Sequence, residues 1–158
     1  KPFEIIIGGE TRQESVFNAL KILNKNASPN DSILIHDSSR PLVTSKIIKN
    51  IIETSKKFNN VTTYINMFDS IAINDKEMIG DYLDRDKIIA IQTPQIFRFN
   101  DIFSLHLKAF ENKIFYTDDA SLLVKSGKSV KLIEGDRFNF KITTFDDLMI
   151  LKSILEEE

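Results

Sequence analysis

The sequence predicts an α/β domain built on a mostly parallel sheet, with flanking helices and a protruding β-arm. Short β-branched runs alternate with segments of helical period over the first sixty residues, the order that parallel sheets with helical crossovers require. Between Val61 and Leu83 the chain holds extended runs with no room for a helix, which reads as an excursion from that core. Polar clusters recur just after predicted strands, where open α/β sheets place their ligands.

Phe3–Ile7 is a β-branched run ended by Gly8-Gly9 and is predicted to be a buried strand. From Arg12 the apolar positions Val16, Ala19, Leu20 and Leu23 share one helical face, and the polar stretch from Asn24 to Asp31 stops it. Ser32–His36 is the next predicted strand, closing on Asp37. Thr44 can cap a helix whose Ile47, Ile48, Ile51 and Ile52 form an apolar stripe. Val61–Met67 and Ser70–Ile73 are extended, a turn at Asn74-Asp75-Lys76-Glu77 leads into Met78–Leu83, and the arm spans about Asn66 to Lys87. Ile88–Ile91 returns as a strand expected to end at Gln92-Thr93-Pro94-Gln95. Asn100–Glu111 and Asp118–Lys125 read as helices, Ser129–Ile133 as a strand, and Asp146–Leu155 as a closing amphipathic helix capped by Thr144. No repeat or linker divides the chain, so residues 1–158 are read as one domain with one arm.

Composition narrows the function. A chain of 158 residues can bury a core without disulfides or a structural metal. The absence of Cys excludes a disulfide scaffold, thiolate zinc sites and a Cys nucleophile. A net charge of -2 lacks the basic signature of a nucleic-acid binder. Apolar runs fall far below the roughly 20 residues of a membrane span, and no secretory leader opens the chain, so a cytoplasmic protein without membrane partners is expected. Lys outnumbers Arg sixteen to five, so each retained Arg marks a place where a planar, five-donor fork is wanted.

Three of those arginines fall in the strand-end clusters, which are Gly8 to Arg12, Asp37 to Pro41, Gln92 to Gln95 and Asp136 to Lys141. Any one of these is an ordinary turn on its own; together they bring unlike chemistry to one edge. Arg12, Arg40, Arg85 and Lys141 suit anions, Asp37 is a hard oxygen ligand, and Ser15, Thr93 and Thr117 supply hydroxyls. No nucleophile and base pair is evident. His36 lies in a predicted strand and His106 on a polar-faced helix, and both are read as structural. Fixed cations with a carboxylate able to hold Mg2+ suit phosphoryl or nucleotidyl transfer, where positioning and charge neutralisation carry the catalysis. A phosphate-sugar binding module without chemistry is the alternative from composition alone.

The segments Gly8-Gly9-Glu10-Thr11-Arg12-Gln13-Glu14-Ser15-Val16 and His36-Asp37-Ser38-Ser39-Arg40-Pro41-Leu42-Val43-Thr44 resemble the CTP-dependent cytidylyltransferases that act on 2-C-methyl-D-erythritol 4-phosphate. Gln92-Thr93-Pro94-Gln95-Ile96-Phe97, Thr117-Asp118-Asp119-Ala120-Ser121 and Asn139-Phe140-Lys141-Ile142-Thr143 continue the match in order. The resemblance implies a Rossmann-like α/β domain whose β-arm exchanges between subunits of a homodimer. It also implies attack by a substrate phosphate oxygen on the α-phosphorus of CTP, with Mg2+ present and pyrophosphate leaving.

Carried onto this chain, the resemblance gives Gly9, Glu10 and Ser15 to the cytidine and the Ser38 backbone to the nucleotide. Asp37 would hold Mg2+ at the reacting phosphates. Arg40, Ser70, Arg85, Thr93, Thr117 and Lys141 would contact the methylerythritol phosphate, with Lys141 also offsetting transition-state charge. Arg12 is open to two roles, a salt bridge that fixes its loop or a ligand contact. Asp69-Ser70-Ile71-Ala72 stands where the family usually reads Asp-Thr-Ile-Lys, a loss shared with the sister enzymes acting on ribitol 5-phosphate, which are the alternative activity. The family's opening strand and Gly-rich, triphosphate-cradling loop have no counterpart after Lys1. The chain is therefore expected to be the C-terminal part of the cytidylyltransferase domain, with an inactive binding or dimerisation fragment as a further alternative.

Overall fold

A computed structural model describes residues 4–156. Helix α1 (Arg12–Leu23) leads to strand β1 (Ser32–Ile35), helix α2 (Ser45–Ser55) and strand β2 (Val61–Asn66). The hairpin β3 (Ile71–Asp75) and β4 (Met78–Leu83) follows, then a 3-10 turn (Arg85–Lys87) and the long strand β5 (Ile89–Arg98). Helices α3 (Phe99–Glu111) and α4 (Asp119–Lys125), strand β6 (Lys131–Glu134) and helix α5 (Phe145–Glu156) complete the described chain.

The helix starts follow the capping residues. Thr11 Oγ1 accepts the Glu14 N–H at 3.1 Å and Thr44 Oγ1 accepts that of Ile47 at 3.3 Å. Asp118 and Ser121 exchange bonds as a capping box at the start of α4. At α5, Asp147 accepts the backbone N–H groups of Thr143 and Thr144 at 2.9 and 2.8 Å, and these bonds pull its carboxyl down to about 2.

The main sheet has the order β1-β5-β2-β6. Strands β2 and β6 pair in parallel, whereas β5 runs antiparallel to both β1 and β2. Three of the four strands thus share a direction, and the expected parallel pairing is interrupted at β5. The cause is the arm: it is a hairpin excursion from the end of β2, so the chain re-enters the sheet antiparallel to the strand it left. Alternation along β5 then sorts the core into two faces. Phe97 joins Leu20, Phe99, Ile102, Ala120 and Leu123 under α1, α3 and α4, while Ile96 packs with Ile51 and Val61 under α2. Ile52, expected on the α2 stripe, is 43% exposed.

Two expected boundaries are corrected. Residues 4–7 form no strand, and Ile5 and Ile7 are 86% and 89% exposed; Phe3 lies outside the described residues. Their β-branched composition is insufficient because no strand pairs with them among the described residues. Gln92-Thr93-Pro94-Gln95 does not end a strand but lies inside β5, buried throughout. Its backbone groups must be paired there: the ladders to β1 and β2 hold Gln92 and Gln95, and at the irregularity opposite Thr62 and Thr63 side chains take over, Asn139 Nδ2 donating to the Thr93 carbonyl at 2.9 Å and Thr63 Oγ1 to the Pro94 carbonyl at 3.1 Å. Within the arm, Lys76 and Glu77 take the left-handed conformation of a tight hairpin turn, with φ of 50° and 69°.

Phe97 is fully buried between the sheet and three helices. Phe97→Ala should cost about 3–5 kcal/mol in urea unfolding, whereas Ile52→Ala should cost under about 1 kcal/mol.

Candidate active site

Because β5 runs against its neighbours, its middle rather than its end reaches the carboxyl edge of β1. Asp37, just past β1, donates its N–H to Thr93 Oγ1 at 3.0 Å. His36 Nε2 donates to the Arg40 carbonyl at 3.0 Å, so its Nδ1 is free to accept the Thr93 hydroxyl at 3.1 Å. His36 is therefore structural, as expected, and the Thr93 hydroxyl is committed to holding the Asp37 loop.

The loop after β6 is tied to the same place. Asn139 is fully buried, and its side chain donates to the Thr93 carbonyl at 2.9 Å and to Gln92 Oε1 at 3.3 Å. The Asn139 carbonyl accepts Arg40 Nη1 at 2.8 Å, and Ile142 N–H bonds to the Ser39 carbonyl at 2.9 Å. These bonds carry Lys141 to the edge where Asp37 and Arg40 already stand.

Three cations converge on Asp37. Arg12 Nε donates to Oδ1 at 2.9 Å, while Lys141 Nζ and Arg40 Nε lie 3.4 and 3.8 Å from Oδ2. Arg12 also reaches the buried Asp119 with Nη2, at 2.8 Å from Oδ2. The salt-bridge role left open for Arg12 is thus present. Burial alone pushes the Asp37 carboxyl up, but the Arg12 hydrogen bond and charge, together with Lys141, outweigh it and hold the group below its usual range. Burial works against the Arg12 guanidinium too and is outweighed by Asp119 and Asp37, so its pKa is raised. Arg40 is lowered by burial and by the Arg12 charge, with Asp37 opposing.

A cavity of about 280 Å³ opens here, lined by Arg12, Asp37, Arg40, Thr93, Thr117 and Lys141 among others. A second cavity of about 320 Å³ between α1 and α3 is mainly apolar, and its charged lining residues are Glu14, Glu111 and a single cation, Lys113, so it lacks the cation cluster of the candidate site. Among the described residues no group of three or more His, Asp or Glu could cage a metal. Asp37 instead suits the mode Mg2+ commonly uses, one carboxylate with the remaining ligands from phosphate oxygens and water. Its Oδ2 carries only the longer ion pairs, and the group is held ionised.

The other expected residues stand apart from this cavity. Gly9 N–H donates to Ser15 Oγ at 3.0 Å and Glu10 N–H to Glu14 Oε2 at 2.8 Å, so these residues wrap the start of α1. A side chain at Gly9 would collide with Glu14 Cβ, which explains the glycine. Ser38 is exposed beside Asp37. Ser70 and Arg85 share a separate cavity of about 290 Å³ on the arm, with Arg85 Nη1 bonded to the Phe68 carbonyl at 2.8 Å.

Sequence reasoning missed the buried layer beneath the cluster. Gln95 is fully buried; it donates to Asp118 Oδ2 at 2.8 Å and accepts the Ala120 N–H at 3.2 Å, which locks α4 against β5. Asp119, Gln92 and Asn139 belong to the same layer, and His106, expected on a polar face, is 1% exposed. Placing Gln92 and Gln95 in a loop hid them; recognising a central strand there would have exposed two amides in need of partners.

A family model described as IspD: 2-C-methyl-D-erythritol 4-phosphate cytidylyltransferase matches residues 1–157. The chain belongs to the IspD family. It is 41% identical to the 2-C-methyl-D-erythritol 4-phosphate cytidylyltransferase of Dictyoglomus thermophilum and 39% identical to that of Caldanaerobacter subterraneus; each alignment covers 99% of this chain and 68% of the relative. The solved IspD structure from Francisella tularensis gives a TM-score of 0.85 at 30% identity, covering 92% of this chain and 69% of that one. The Thermus thermophilus enzyme gives 0.83 at 28% identity over 94% and 71%. The α/β architecture of this IspD-family chain is thus that of its solved relatives.

Since the Asp37 carboxyl is depressed, its stabilising ion pairs are fully present above the unfolded value of about 3.9 and are lost as pH falls through the folded one. Urea unfolding across pH should show the wild type losing this contribution, about 1 kcal/mol, in acid, with Asp37→Asn lacking that part of the slope.

Proposed function

We propose that this IspD-family chain carries the machinery that transfers CMP from CTP to 2-C-methyl-D-erythritol 4-phosphate. The observation that carries the reading is the convergence of Arg12, Arg40 and Lys141 on one ionised carboxylate beside Thr117 and Thr93. In the proposed step an oxygen of the substrate phosphomonoester forms a bond to the α-phosphorus of CTP, the bridging bond to the β-phosphate breaks, and pyrophosphate leaves. The attacking oxygen is already ionised, so no general base is needed, in keeping with a site that offers none. Arg40 and Lys141 meet the phosphates and offset the charge that grows on them. Asp37 would hold Mg2+, which when bound neutralises phosphate oxygens. Gly9, Glu10, Ser15 and Ser38 are assigned to the nucleotide.

The arm supports assembly as a homodimer. A lone two-stranded hairpin is marginal in water. This one leaves Met78 73%, Ile79 64% and Tyr82 62% exposed, which suits burial against a second copy. Ser70 and Arg85 on that arm would then complete a methylerythritol phosphate site in the partner. Residues 1–158 are read as one domain with this arm. No helix among the described residues is long and apolar enough to cross a membrane, and a cytoplasmic location fits the family's soluble substrates.

Assayed in the full-length protein, pyrophosphate release from CTP with methylerythritol phosphate, but not with ribitol 5-phosphate, is the expected outcome; release with neither overturns the reading. Asp37→Asn should lower turnover by about 100-fold or more, far beyond its effect on stability. Ile79→Asp with Tyr82→Asp should shift sedimentation from dimer to monomer.

A further inference from the structure

His106 has no place in the reaction above, yet its side chain is fully buried. It lies on α3 with its ring stacked on Phe17 of α1, the centroids 6.2 Å apart. Its Nε2 is 2.9 Å from Asp119 Oδ1. A carboxylate oxygen can only accept, so Nε2 carries the proton. The other oxygen of Asp119 faces Arg12 Nη2 at 2.8 Å, and Arg12 Nε donates to Asp37 Oδ1 at 2.9 Å. Four side chains from α3, α4, α1 and the β1 loop thus form one line from the core to the rim of the candidate site.

We propose that His106 and Asp119 are positioning residues for the transfer reaction, acting through Arg12 to set the orientation of Asp37. The inference rests on the reading of Asp37 as part of the transfer site. A free arginine fork tends to take a carboxylate with two parallel bonds. On Asp37 that pairing would occupy both oxygens and withdraw the group from substrate. Asp119 prevents it by claiming Nη2, so Arg12 reaches Asp37 through Nε alone and leaves Oδ2 facing Lys141 and Arg40. Asp119 can do this only if its own carboxylate, 1% exposed, is fixed; Oδ2 is held by the ion pair to Arg12, and His106 supplies the hydrogen bond on Oδ1. A lysine at position 12 could not bridge two carboxylates in this way. A core pair that merely stabilises the fold would instead influence melting alone.

The test uses the full-length protein as wild type, His106→Leu, His106→Gln, Asp119→Asn and Arg12→Lys. The Arg12 Nε–H cross-peak in proton–nitrogen spectra, identified by its loss in Arg12→Lys, reports the pairing without substrate or metal. His106→Leu and Asp119→Asn should lose that cross-peak to solvent exchange and lower kcat by about 10-fold or more, while KM for CTP moves by less than about 3-fold. His106→Gln, whose amide can donate to Asp119, should recover the cross-peak and most of kcat. A His106→Leu chain that melts earlier yet keeps the cross-peak and kcat would overturn the proposal, as would failure of His106→Gln to rescue. If His106→Leu does not fold, Arg12→Lys decides: a lower kcat at unchanged melting temperature supports it, and wild-type kcat overturns it. Absence of turnover in the wild type would count against the transfer reading alone, and the cross-peak comparison would still decide how Arg12 is held.

Discussion

The Asp119 carboxyl is only 1% exposed, and much of the carboxyl edge is arranged around that fact. A carboxylate so deep needs partners on both oxygens, because leaving one buried and unpaired costs several kcal/mol. Arg12 answers from α1 and His106 from α3, so three helices are joined through one residue at the first turn of α4. Arg12 then extends outward to Asp37, and the β1 loop is joined to the same network. The polar geometry at the surface is inherited from a carboxyl in the core.

Strand β5 supplies the second constraint. Its alternation sends Phe97 and Ile96 to opposite cores, while its Gln92 and Gln95 amides are buried at the level of the site. Gln95 fixes α4 through Asp118 and Ala120, and Gln92 bonds to Asn139 and to the carbonyl of Asp136. The 136–141 loop, which carries Lys141, is therefore anchored on a central strand rather than left to its own turns. Arg137 of that loop also lies over the Phe68 ring at 4.6 Å, linking it to the base of the arm. Such support is what holds a long lysine near a reacting centre without a large entropic penalty.

The helices, the arm and the polar edge were legible because their signals are local. Thr11, Thr44 and Asp118 are capping residues followed by apolar periodicity, and the Asn74–Glu77 turn sits between two extended runs. Arg12, Asp37, Arg40, Thr93, Thr117 and Lys141 were legible as site residues from residue type and motif, and the fold brings all six to one cavity. What failed depends on partners distant in sequence. Residues 4–7 have strand composition but no neighbour to pair with, and β5 crosses a polar Gln-Thr-Pro-Gln stretch because its amides and hydroxyl are satisfied by groups about 25 to 60 residues away. His106 was hidden for the same reason: Asp119, the group that makes its burial tolerable, lies on another helix.

The protonation states across this cluster bear on the kind of chemistry it can support. The cations Arg12, Arg40 and Lys141 face the carboxylates Asp37 and Asp119, and Asp118 also lines the cavity, three against three, so formal charges of opposite sign balance across the bare site. Asp37 is held below the usual carboxylate range, which makes it a poor proton acceptor near neutral pH. Arg12 is pushed further toward its charged form, and an arginine lowered by burial, as Arg40 is, still remains protonated in water. A site tuned for acid–base work would move its groups toward neutrality, as burial alone would do here. The ion pairs reverse that tendency and keep fixed charge on both sides. Fixed charge is the requirement of a reaction between two phosphates, whose mutual repulsion is the main obstacle and whose nucleophile needs no activation.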